Sequence, residues 1–484
     1  MRERLLLIAG ALAAFGGAAL GSFHFDDYAI FSDPALTSPT GWWEVWGPLY
    51  TRPLTYFTFW LNYQLGGREP LGYHLFSLAL HIGAVLLLWE VLRRVIPPRA
   101  ALVGALLFAI HPIQSEAVAY VFGRAILLAA VFSLLAAIAW LDGRRWLAVA
   151  WFAVALLGKE EAAAVPLVLW VLERGKRPRV NGPILAMLAL SLAAGLRVIW
   201  VAKTLGMGAG AGPGLSPWTY LAAQGAAISR YLRLVVVPWG FTVDAQITAD
   251  WTAWLAWAAL GAVVAVAWKR SWTAFLAALV LLVPSSSVFP AADLAADRRM
   301  YLPMLALAPG LALLLARLRT RWIAGVAVVL VALSIGRMQV WRTEQSLWEE
   351  AERRAPAKVR PKIQLARVVG GERALELLRE ARALEPEDPQ VASEMGRVYL
   401  ESGRAPEALA EFGRGLALEP RNPRALSNRG AALLALGQTE AARRDFERAL
   451  ALEPCLFEAR LNLRVGPGPG CRYTPEQQRA LGGP

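Results

Sequence analysis

Long apolar stretches fill the first two thirds of the chain and constrain its fold more than any other feature. A single apolar helix of about 20 residues is enough to cross a bilayer. Hydrophobic residues make up 56% of the 484 positions, and 20 of them are Trp, a residue enriched at membrane interfaces. We therefore predict an all-α fold that begins with a polytopic membrane helix bundle of about eleven spans. The predicted spans are 5–21, 71–92, 101–110, 125–141, 146–158, 162–172, 184–201, 251–268, 272–283, 301–316 and 322–335.

Basic clusters between the apolar stretches predict the topology. The formal net charge is +13, but its distribution is typical of cytoplasmic loops rather than of a nucleic-acid site. If every cluster is cytoplasmic, residues 22–70 and the C-terminal part lie outside, and 218–237 is an external or re-entrant helix. A cleaved signal peptide is the alternative for 1–21, and it leaves Ser22 on the same side. The clusters are Arg2/Arg4, Arg93/Arg94/Arg99, Arg144/Arg145, Arg174/Lys176/Arg177/Arg179, Lys269/Arg270 and Arg317/Arg319/Arg321.

The C-terminal part repeats itself. "LEP" begins at Leu384, Leu418 and Leu452, which are 34 residues apart. Small, aromatic and proline residues recur in step, which resembles the tetratricopeptide repeat. About three such repeats stack into an α-solenoid with a concave groove for a peptide or protein partner. The residues in step are Gly396, Tyr399, Ala408, Phe412, Gly415 and Pro420, then Gly430, Leu433, Ala442, Phe446, Ala449 and Pro454.

These patterns divide the chain into four parts. We predict an integral-membrane domain over 1–336 with an extracytoplasmic first loop over 22–70, and a connecting helix over 337–354. Repeats follow over 355–465, and a flexible tail over 466–484. Cys455 and Cys471 lie on either side of "GPGPG". A disulfide on the outer side and two free thiols are both consistent with this spacing.

Unusual polar residues concentrate in the segments predicted to lie outside. The first loop begins "SFHFDDYAIFSDP" and mixes carboxylates and arginines with aromatic residues, as expected of helices lying in the interface. Further polar motifs are "HPIQSEAVAYVFGR", "GKEE" and "AADLAADRRMYLP". Charged groups at membrane depth are costly and usually face a cavity or each other, so their convergence predicts a site.

This combination of charges favours sugar transfer from a lipid phosphate. A carboxylate can take the proton of an attacking hydroxyl while arginines neutralise a departing phosphate. A glycosidase needs a second acid to protonate its alkoxide leaving group. A phosphate leaves as a stable anion and needs no such acid. A donor with its sugar outside and its tail in the bilayer explains a site at the membrane surface.

Several motifs together resemble one family. "FDDYAIFSDP", "RPLTYFTFWLNYQLGGREPLGYHLFSLALH", "HPIQSEAVAYVFGRAILLA", "GKEEAAAVPL", "YLRLVVVPWGFTVD" and "DRRMYLP" occur in an order similar to the transmembrane and tetratricopeptide-repeat-containing glycosyltransferases. Those are enzymes of the C-type glycosyltransferase (GT-C) fold, related to protein O-mannosyltransferases. The resemblance implies inverting transfer of a sugar, commonly mannose, from a polyprenyl-phosphate carrier to a protein Ser/Thr hydroxyl. Its paired acidic motif maps to Asp26 and Asp27, with Asp26 as the base. One departure is Ile126, where the family often has an acid after Gly-Arg-Ala.

Each candidate site residue has a structural alternative. Asp26 is the predicted base, with a helix N-cap as the alternative, and Asp27 orients a group or holds a metal. The predicted donor-phosphate contacts are Arg52, Arg124 and Arg298. For the first two the alternative is interfacial snorkelling, and for Arg298 it is an ion pair with Asp297 or Asp293. The predicted supporting residues are His111, Glu116 and Lys159; His111 is as well explained by a structural hydrogen bond, and Lys159 by pairing with Glu160 or Glu161.

The sequence leaves alternatives for function and cofactor. A non-catalytic membrane anchor whose repeats recruit an extracytoplasmic assembly is the second hypothesis, and a transporter is the third. No cofactor is required by the residues, although a divalent cation at Asp26 and Asp27 stays open. The expected partners are a lipid-linked sugar donor, membrane lipid and a protein acceptor in the repeat groove, and not nucleic acid. Ala/Arg-rich composition favours a bacterial cytoplasmic membrane with the repeats outside.

Overall fold

The computed structural model describes residues 1–172, 181–205, 216–247, 249–270, 272–286 and 293–482. Throughout these ranges the regular elements are α-helices and 3₁₀ turns, so the predicted all-α class is confirmed. The chain forms two compact units. The first contains Met1–Asp27 and Trp42–Thr343, and the second contains Tyr28–Gly41 and Glu344–Pro484. The basic cluster predicted at Arg174, Lys176, Arg177 and Arg179 lies outside the described residues.

The first unit is built from helices that follow the predicted apolar stretches. Prolines at the first turn begin several of them, because the missing N–H is not needed there. Helices α2 and α3 belong to the second unit and are described with it. The helices of the first unit are α1 (Arg2–Phe15), α4 (Pro53–Gly66), α5 (Pro70–Val95), α6 (Pro98–Ile110), α7 (Ser115–Ala119), α8 (Arg124–Leu141), α9 (Arg145–Gly158), α10 (Val165–Leu172), α11 (Gly182–Thr204), α12 (Pro217–Val236), α13 (Ala253–Lys269), α14 (Thr273–Leu282), α15 (Tyr301–Leu315) and α16 (Thr320–Val340).

Six helical segments in the described part of the chain are long and apolar enough to cross a membrane. They are Arg2–Leu20, Pro70–Val95, Val121–Leu141, Gly182–Thr204, Asp297–Leu315 and Thr320–Val340, and each coincides with a predicted span. The pair Pro98–Ile110 and Pro112–Ala119, bent by 48°, makes a seventh. The other predicted spans are helical but shorter, so the count of eleven stays a prediction. The chain is a multi-pass helical membrane protein.

The bend between α6 and α7 shapes the end of the first unit that carries Glu116 and Tyr120. Pro112 cannot continue the α6 hydrogen-bond ladder, so the helix ends at Ile110. The buried His111 ring forms hydrogen bonds at this break. Its Nδ1 accepts from the Ile113 N–H at 3.1 Å, and its Nε2 lies 3.1 Å from the Val235 carbonyl oxygen. His111 is thus the structural hydrogen-bonder that the sequence allowed. Beyond the break the chain carries Glu116 and Tyr120.

The second unit is a helical solenoid. Its helices are α2 (Ala29–Ser32), α3 (Pro34–Thr37), α17 (Glu344–Arg354), α18 (Val359–Val369), α19 (Gly371–Leu384), α20 (Pro389–Glu401), α21 (Ala405–Leu418), α22 (Pro423–Ala435), α23 (Thr439–Leu452), α24 (Phe457–Leu463) and α25 (Pro475–Ala480). Consecutive helices pack as the pairs α18/α19, α20/α21 and α22/α23. In two of these pairs a buried aromatic, Phe412 or Phe446, lies against the glycine of the partner helix. These glycine and phenylalanine residues are the ones that the 34-residue repeat predicted to recur in step.

Two segments differ from their predicted form. The stretch 337–354 is divided, because α16 ends at Val340 and α17 begins at Glu344. The turn between them frees two carbonyl groups, which bind the Ser22 N–H at 3.1 Å and the His24 ring at 2.9 Å.

The tail predicted to be flexible contains α25. A capping box at Thr474 and Gln477 starts that helix. Cys455 and Cys471 form a disulfide, which settles the alternative left open by their spacing and ties the segment to the repeats. The remaining predicted domain bounds stay predictions.

Candidate active site

The two adjacent aspartates of the first loop have opposite environments. Both lie in the 3₁₀ turn Phe25–Tyr28, where Asp26 is exposed and Asp27 is completely buried. Phe25, just before them, has φ +36°, a left-handed conformation that costs energy for a bulky residue. The packing around this turn therefore holds a strained backbone. Of the pair, Asp26 is the carboxylate that a substrate can reach.

Asp27 fastens the turn from the inside. Its Oδ2 accepts the His24 backbone N–H at 3.0 Å, and its Oδ1 accepts the Phe122 N–H at 2.8 Å. Burial raises the pKa of Asp27 to about 8, against the lowering effect of these backbone hydrogen bonds. Burial also lowers the pKa of His24 to about 4, so its ring is neutral and donates from Nε2 to the Trp341 carbonyl oxygen. Asp27 thus positions the loop rather than contacting a substrate.

Asp26 is held by a residue of the "HPIQSEAVAYVFGR" motif. The Tyr120 hydroxyl donates to Asp26 Oδ2 at 2.8 Å. Tyr120 is itself buried, with its ring against Phe25 at 5.4 Å and Trp341 at 6.2 Å. The N-cap function that competed for Asp26 belongs instead to Asp33, whose side chain accepts the Ala35 N–H at the start of α3.

Arg298 connects this acidic site with a second cluster of carboxylates. Its guanidinium carbon lies 5.6 Å from the centre of the Tyr120 ring. Arg298 Nη1 pairs with Glu116, whose other oxygen accepts the Arg298 backbone N–H at 3.1 Å, and Nη2 donates to Asp293 at 2.9 Å. The ion pair with Asp293 that was the alternative for Arg298 is therefore present. Its side chain is nevertheless 23% exposed, so a ligand can reach it.

The "GKEE" turn brings further charges to the same face. Arg52 pairs with Glu160, with 2.9 Å between Nε and Oε2, and Lys159 pairs with Glu161 at 2.8 Å. Burial alone would raise the pKa of Glu160, but the charge and hydrogen bonds of Arg52 lower it to about 2. Burial lowers the pKa of Lys159, and the positive charges of Arg52 and Arg298 lower it further against the pull of Glu161. The three cations thus share one electrostatic environment.

Arg124 lies in the interior, whereas Arg52 and Arg298 have partly exposed side chains. It is fully buried, and its Nη atoms donate to the backbone carbonyls of Thr58 at 3.2 Å and Tyr73 at 2.9 Å. Its guanidinium also lies over the rings of Phe59 at 4.8 Å and Phe76 at 4.6 Å. These contacts tie α8 to α4 and α5. They replace the snorkelling that the sequence offered as the alternative.

The acidic pair fits a divalent cation poorly. Both Asp27 oxygens accept backbone N–H groups and face the interior, which leaves Asp26 as the accessible oxygen ligand of the pair. In the part of the chain that the structure describes, no three or more His, Cys, Asp or Glu side chains are grouped to hold a metal. We assign no chemical step to a metal.

Sequence reasoning missed Tyr120 as a member of the site. It named Asp293 and Glu160 only as alternative partners of Arg298 and Lys159, and it did not predict the pairing of Glu160 with Arg52. All three residues stand inside quoted motifs, but a polar residue in a largely apolar sequence gives no sign of its partner. Arg230 pairs with the buried Asp297, a contact that was not predicted when 218–237 was interpreted as an external or re-entrant helix. Helix α12 at Pro217–Val236 is confirmed. The signal that could have found these residues is the local excess of opposite charges, which must pair when buried.

The comparisons with known proteins agree with this layout. Residues 48–200 match the family model described as dolichyl-phosphate-mannose-protein mannosyltransferase. Residues 371–431 and 423–454 match models described as tetratricopeptide repeat. The chain is thus of the class of multi-pass membrane proteins that carry such repeats.

Individual relatives show which proteins the chain resembles. The Homo sapiens "Protein O-mannosyl-transferase TMTC4" is 34% identical over 205 aligned residues, covering 34% of this chain and 28% of that protein. The Drosophila melanogaster "Protein O-mannosyl-transferase Tmtc1" is 41% identical over 125 residues, covering 24% of this chain and 15% of that one. The predicted resemblance to the transmembrane and tetratricopeptide-repeat-containing glycosyltransferases is confirmed by these matches.

The matches cover only part of the length of the relatives. The matched regions span 28% or less of the length of these two relatives. Among solved structures, ArnT from Cupriavidus metallidurans bound to undecaprenyl phosphate aligns over 92% of this chain and 79% of that chain, with 14% identity and a TM-score of 0.40.

Proposed function

We propose that this chain is an integral-membrane, inverting glycosyltransferase. It moves a hexose, mannose by analogy with the names of its relatives, from a polyprenyl-phosphate donor to a Ser/Thr hydroxyl of a protein. Asp26 is the general base of this reaction. One observation carries the proposal: Tyr120 contacts both the exposed carboxylate of Asp26, through its hydroxyl, and the guanidinium of Arg298, through its ring.

The transfer needs one base and no acid. Asp26 accepts the proton of the attacking hydroxyl as that oxygen bonds to the anomeric carbon of the sugar. The bond from the anomeric carbon to the phosphate oxygen breaks, and its electron pair leaves with the lipid phosphate. Since the phosphate departs as a stable anion, the absence of a second accessible aspartate beside Asp26 does not hinder the reaction. A single displacement inverts the anomeric centre.

The cations of the site receive the departing phosphate. Arg298 and Arg52 have partly exposed side chains, at 23% and 31%, and Lys159 shares their field. Arg52 uses Nε and Nη2 for Glu160, so among its described hydrogen bonds Nη1 is left for a ligand. Charge-assisted hydrogen bonds from such donors stabilise the charge that develops on the phosphate. We do not assign Arg124 to this phosphate site, because its side chain is fully buried and its guanidinium is bonded to the carbonyls of Thr58 and Tyr73.

The sidedness of the site follows the predicted topology. With the basic clusters in the cytoplasm, the first loop and the repeats lie on the extracytoplasmic side. We assign the protein to a bacterial cytoplasmic membrane. The second unit, a solenoid of repeats, supplies a groove for the protein acceptor. A lipid-linked sugar then reaches the site from the outer leaflet.

The test is the Asp26→Asn variant in purified full-length protein. We expect transfer of mannose from polyprenyl-phosphate mannose to acceptor peptide to fall roughly 100- to 10,000-fold, the usual contribution of a general base. The exposed side chain should leave thermal stability unchanged. Glu69→Gln, another exposed carboxylate of the same loop, is the matched control and should retain activity.

Full transfer by Asp26→Asn would remove Asp26 as the base. If the wild-type protein also shows no transfer while still binding an extracytoplasmic protein through its repeats, the scaffold hypothesis is favoured instead.

A further inference from the structure

One buried side chain touches both halves of the proposed site. The Tyr120 hydroxyl donates to Asp26 Oδ2 at 2.8 Å, and the face of its ring lies beneath Arg298, 5.6 Å from the guanidinium carbon. Tyr120 lies between α7, which carries Glu116, and the turn that carries Phe122.

We propose that Tyr120 is a positioning residue that fixes the orientation of Asp26 through its hydroxyl and supports Arg298 through its ring. This inference rests on the proposed function, because it assumes that Asp26 is the base. The hydrogen bond occupies Asp26 Oδ2 and leaves Oδ1 to accept the proton of the acceptor hydroxyl. The ring face attracts the guanidinium by its negative quadrupole.

The surroundings restrict Tyr120 to this task. Its ring packs against Phe25 at 5.4 Å, Trp341 at 6.2 Å and Phe122 at 6.3 Å, so it cannot rotate away without disturbing three aromatic neighbours. The charged groups that act on its hydroxyl are Asp26, Asp27 and Arg298. Burial raises the pKa of Tyr120, and the two carboxylates raise it further, which keeps the hydroxyl protonated and able to donate.

The first variant is Tyr120→Phe, which keeps the ring and removes the donor. We expect kcat to fall about tenfold, because Asp26 becomes free to rotate, while the donor KM changes by less than about twofold. A hydrogen bond donated to a carboxylate favours its charged form, so its loss should move the acid limb of the pH–kcat profile up by about one pH unit. A purely structural tyrosine would not move that limb.

The second variant, Tyr120→Leu, removes the ring as well. It should raise the donor KM in addition to lowering kcat, because Arg298 loses its support. Tyr220→Phe is the matched control, since it deletes another buried tyrosine hydroxyl, one that is bonded to the Ser285 carbonyl oxygen at 3.0 Å and not to Asp26. Its pH profile should match that of the wild type.

The outcomes separate this inference from the proposed function. If Asp26→Asn is inactive but Tyr120→Phe has wild-type kcat and an unmoved acid limb, Tyr120 does not position the base and the proposed function stands. If Asp26→Asn remains active, both fail, whatever Tyr120→Phe does. Loss of activity in Tyr120→Phe with an unmoved acid limb also overturns the inference, because it indicates general destabilisation.

Discussion

Asp26 and Asp27 are identical neighbours, and their surroundings give them different tasks. The carboxylate of Asp26 is exposed and bound by one hydroxyl, whereas that of Asp27 is enclosed and bound by two backbone amides. Burying a charge away from water costs free energy, and this cost disfavours ionisation of Asp27. The same residue type thus supplies an accessible base at one position and, at the next, a buried side chain that holds the turn in place through hydrogen bonds.

The raised pKa of Asp27 predicts a pH dependence of stability. In the unfolded chain this carboxyl ionises near its ordinary pKa of 3.8, whereas in the fold it keeps its proton until about pH 8. A raised folded-state pKa contributes stability below pH 4 and loses that contribution as pH rises to about 8. Wild-type stability should therefore decline across this window relative to Asp27→Asn, which does not titrate.

Thermal unfolding of both proteins in the same detergent, at steps from pH 4 to pH 8, measures the difference. The exposed Glu69→Gln variant controls for the loss of a carboxylate and should follow the wild-type curve. Parallel curves for wild type and Asp27→Asn would show that Asp27 ionises normally in the fold.

At the scale of the helices, close approach depends on glycine in the repeats. A Cβ placed on Gly396 would lie 2.6 Å from the Phe412 ring, and one on Gly430 would lie 2.7 Å from the Phe446 ring. The aromatic residue fills the gap between the paired helices, so an added methyl group must push it away. This is why a glycine stands at the same register position in both repeats.

The variant Gly430→Ala should therefore destabilise the protein by about 1–3 kcal/mol, the usual cost of overpacking. Gly413→Ala is the control in the neighbouring α21, because a Cβ there meets no atom within 4 Å. It should stabilise by up to about 1 kcal/mol through better helix propensity. Fluorescence-monitored thermal unfolding of the full chain compares the two; equal effects would contradict the close contact with Phe446.

At the scale of the whole molecule, the second unit is discontinuous in sequence. The segment Tyr28–Gly41 belongs to it although it directly follows the acidic pair. Its residues Ile30, Ala35 and Leu36 are almost fully buried. Removing residues 344–484 would therefore expose this segment, so a deletion of the repeats also disturbs the chain next to Asp26 and does not test the repeats alone.

The topology can be measured by cysteine labelling. The chain has two cysteines, both in the Cys455–Cys471 disulfide, so an added thiol gives the signal. We expect Thr40→Cys, exposed in the first loop, to react in intact cells with a membrane-impermeant maleimide. Arg144→Cys, exposed in a predicted cytoplasmic cluster, should react only after permeabilisation. The reverse pattern would place Asp26 in the cytoplasm and end the proposed mechanism.

The sequence by itself determined the helical elements, because apolar length and the 34-residue repeat are local properties of the chain. It also indicated the polar motifs of the site, since buried charges are rare and stand out. Tertiary structure alone decided which charges meet: that Tyr120 binds Asp26, that Arg298 pairs with Glu116, and that Arg124 is interior. A side chain's partner depends on the direction of a turn and on helices far away in sequence, and no local pattern encodes either.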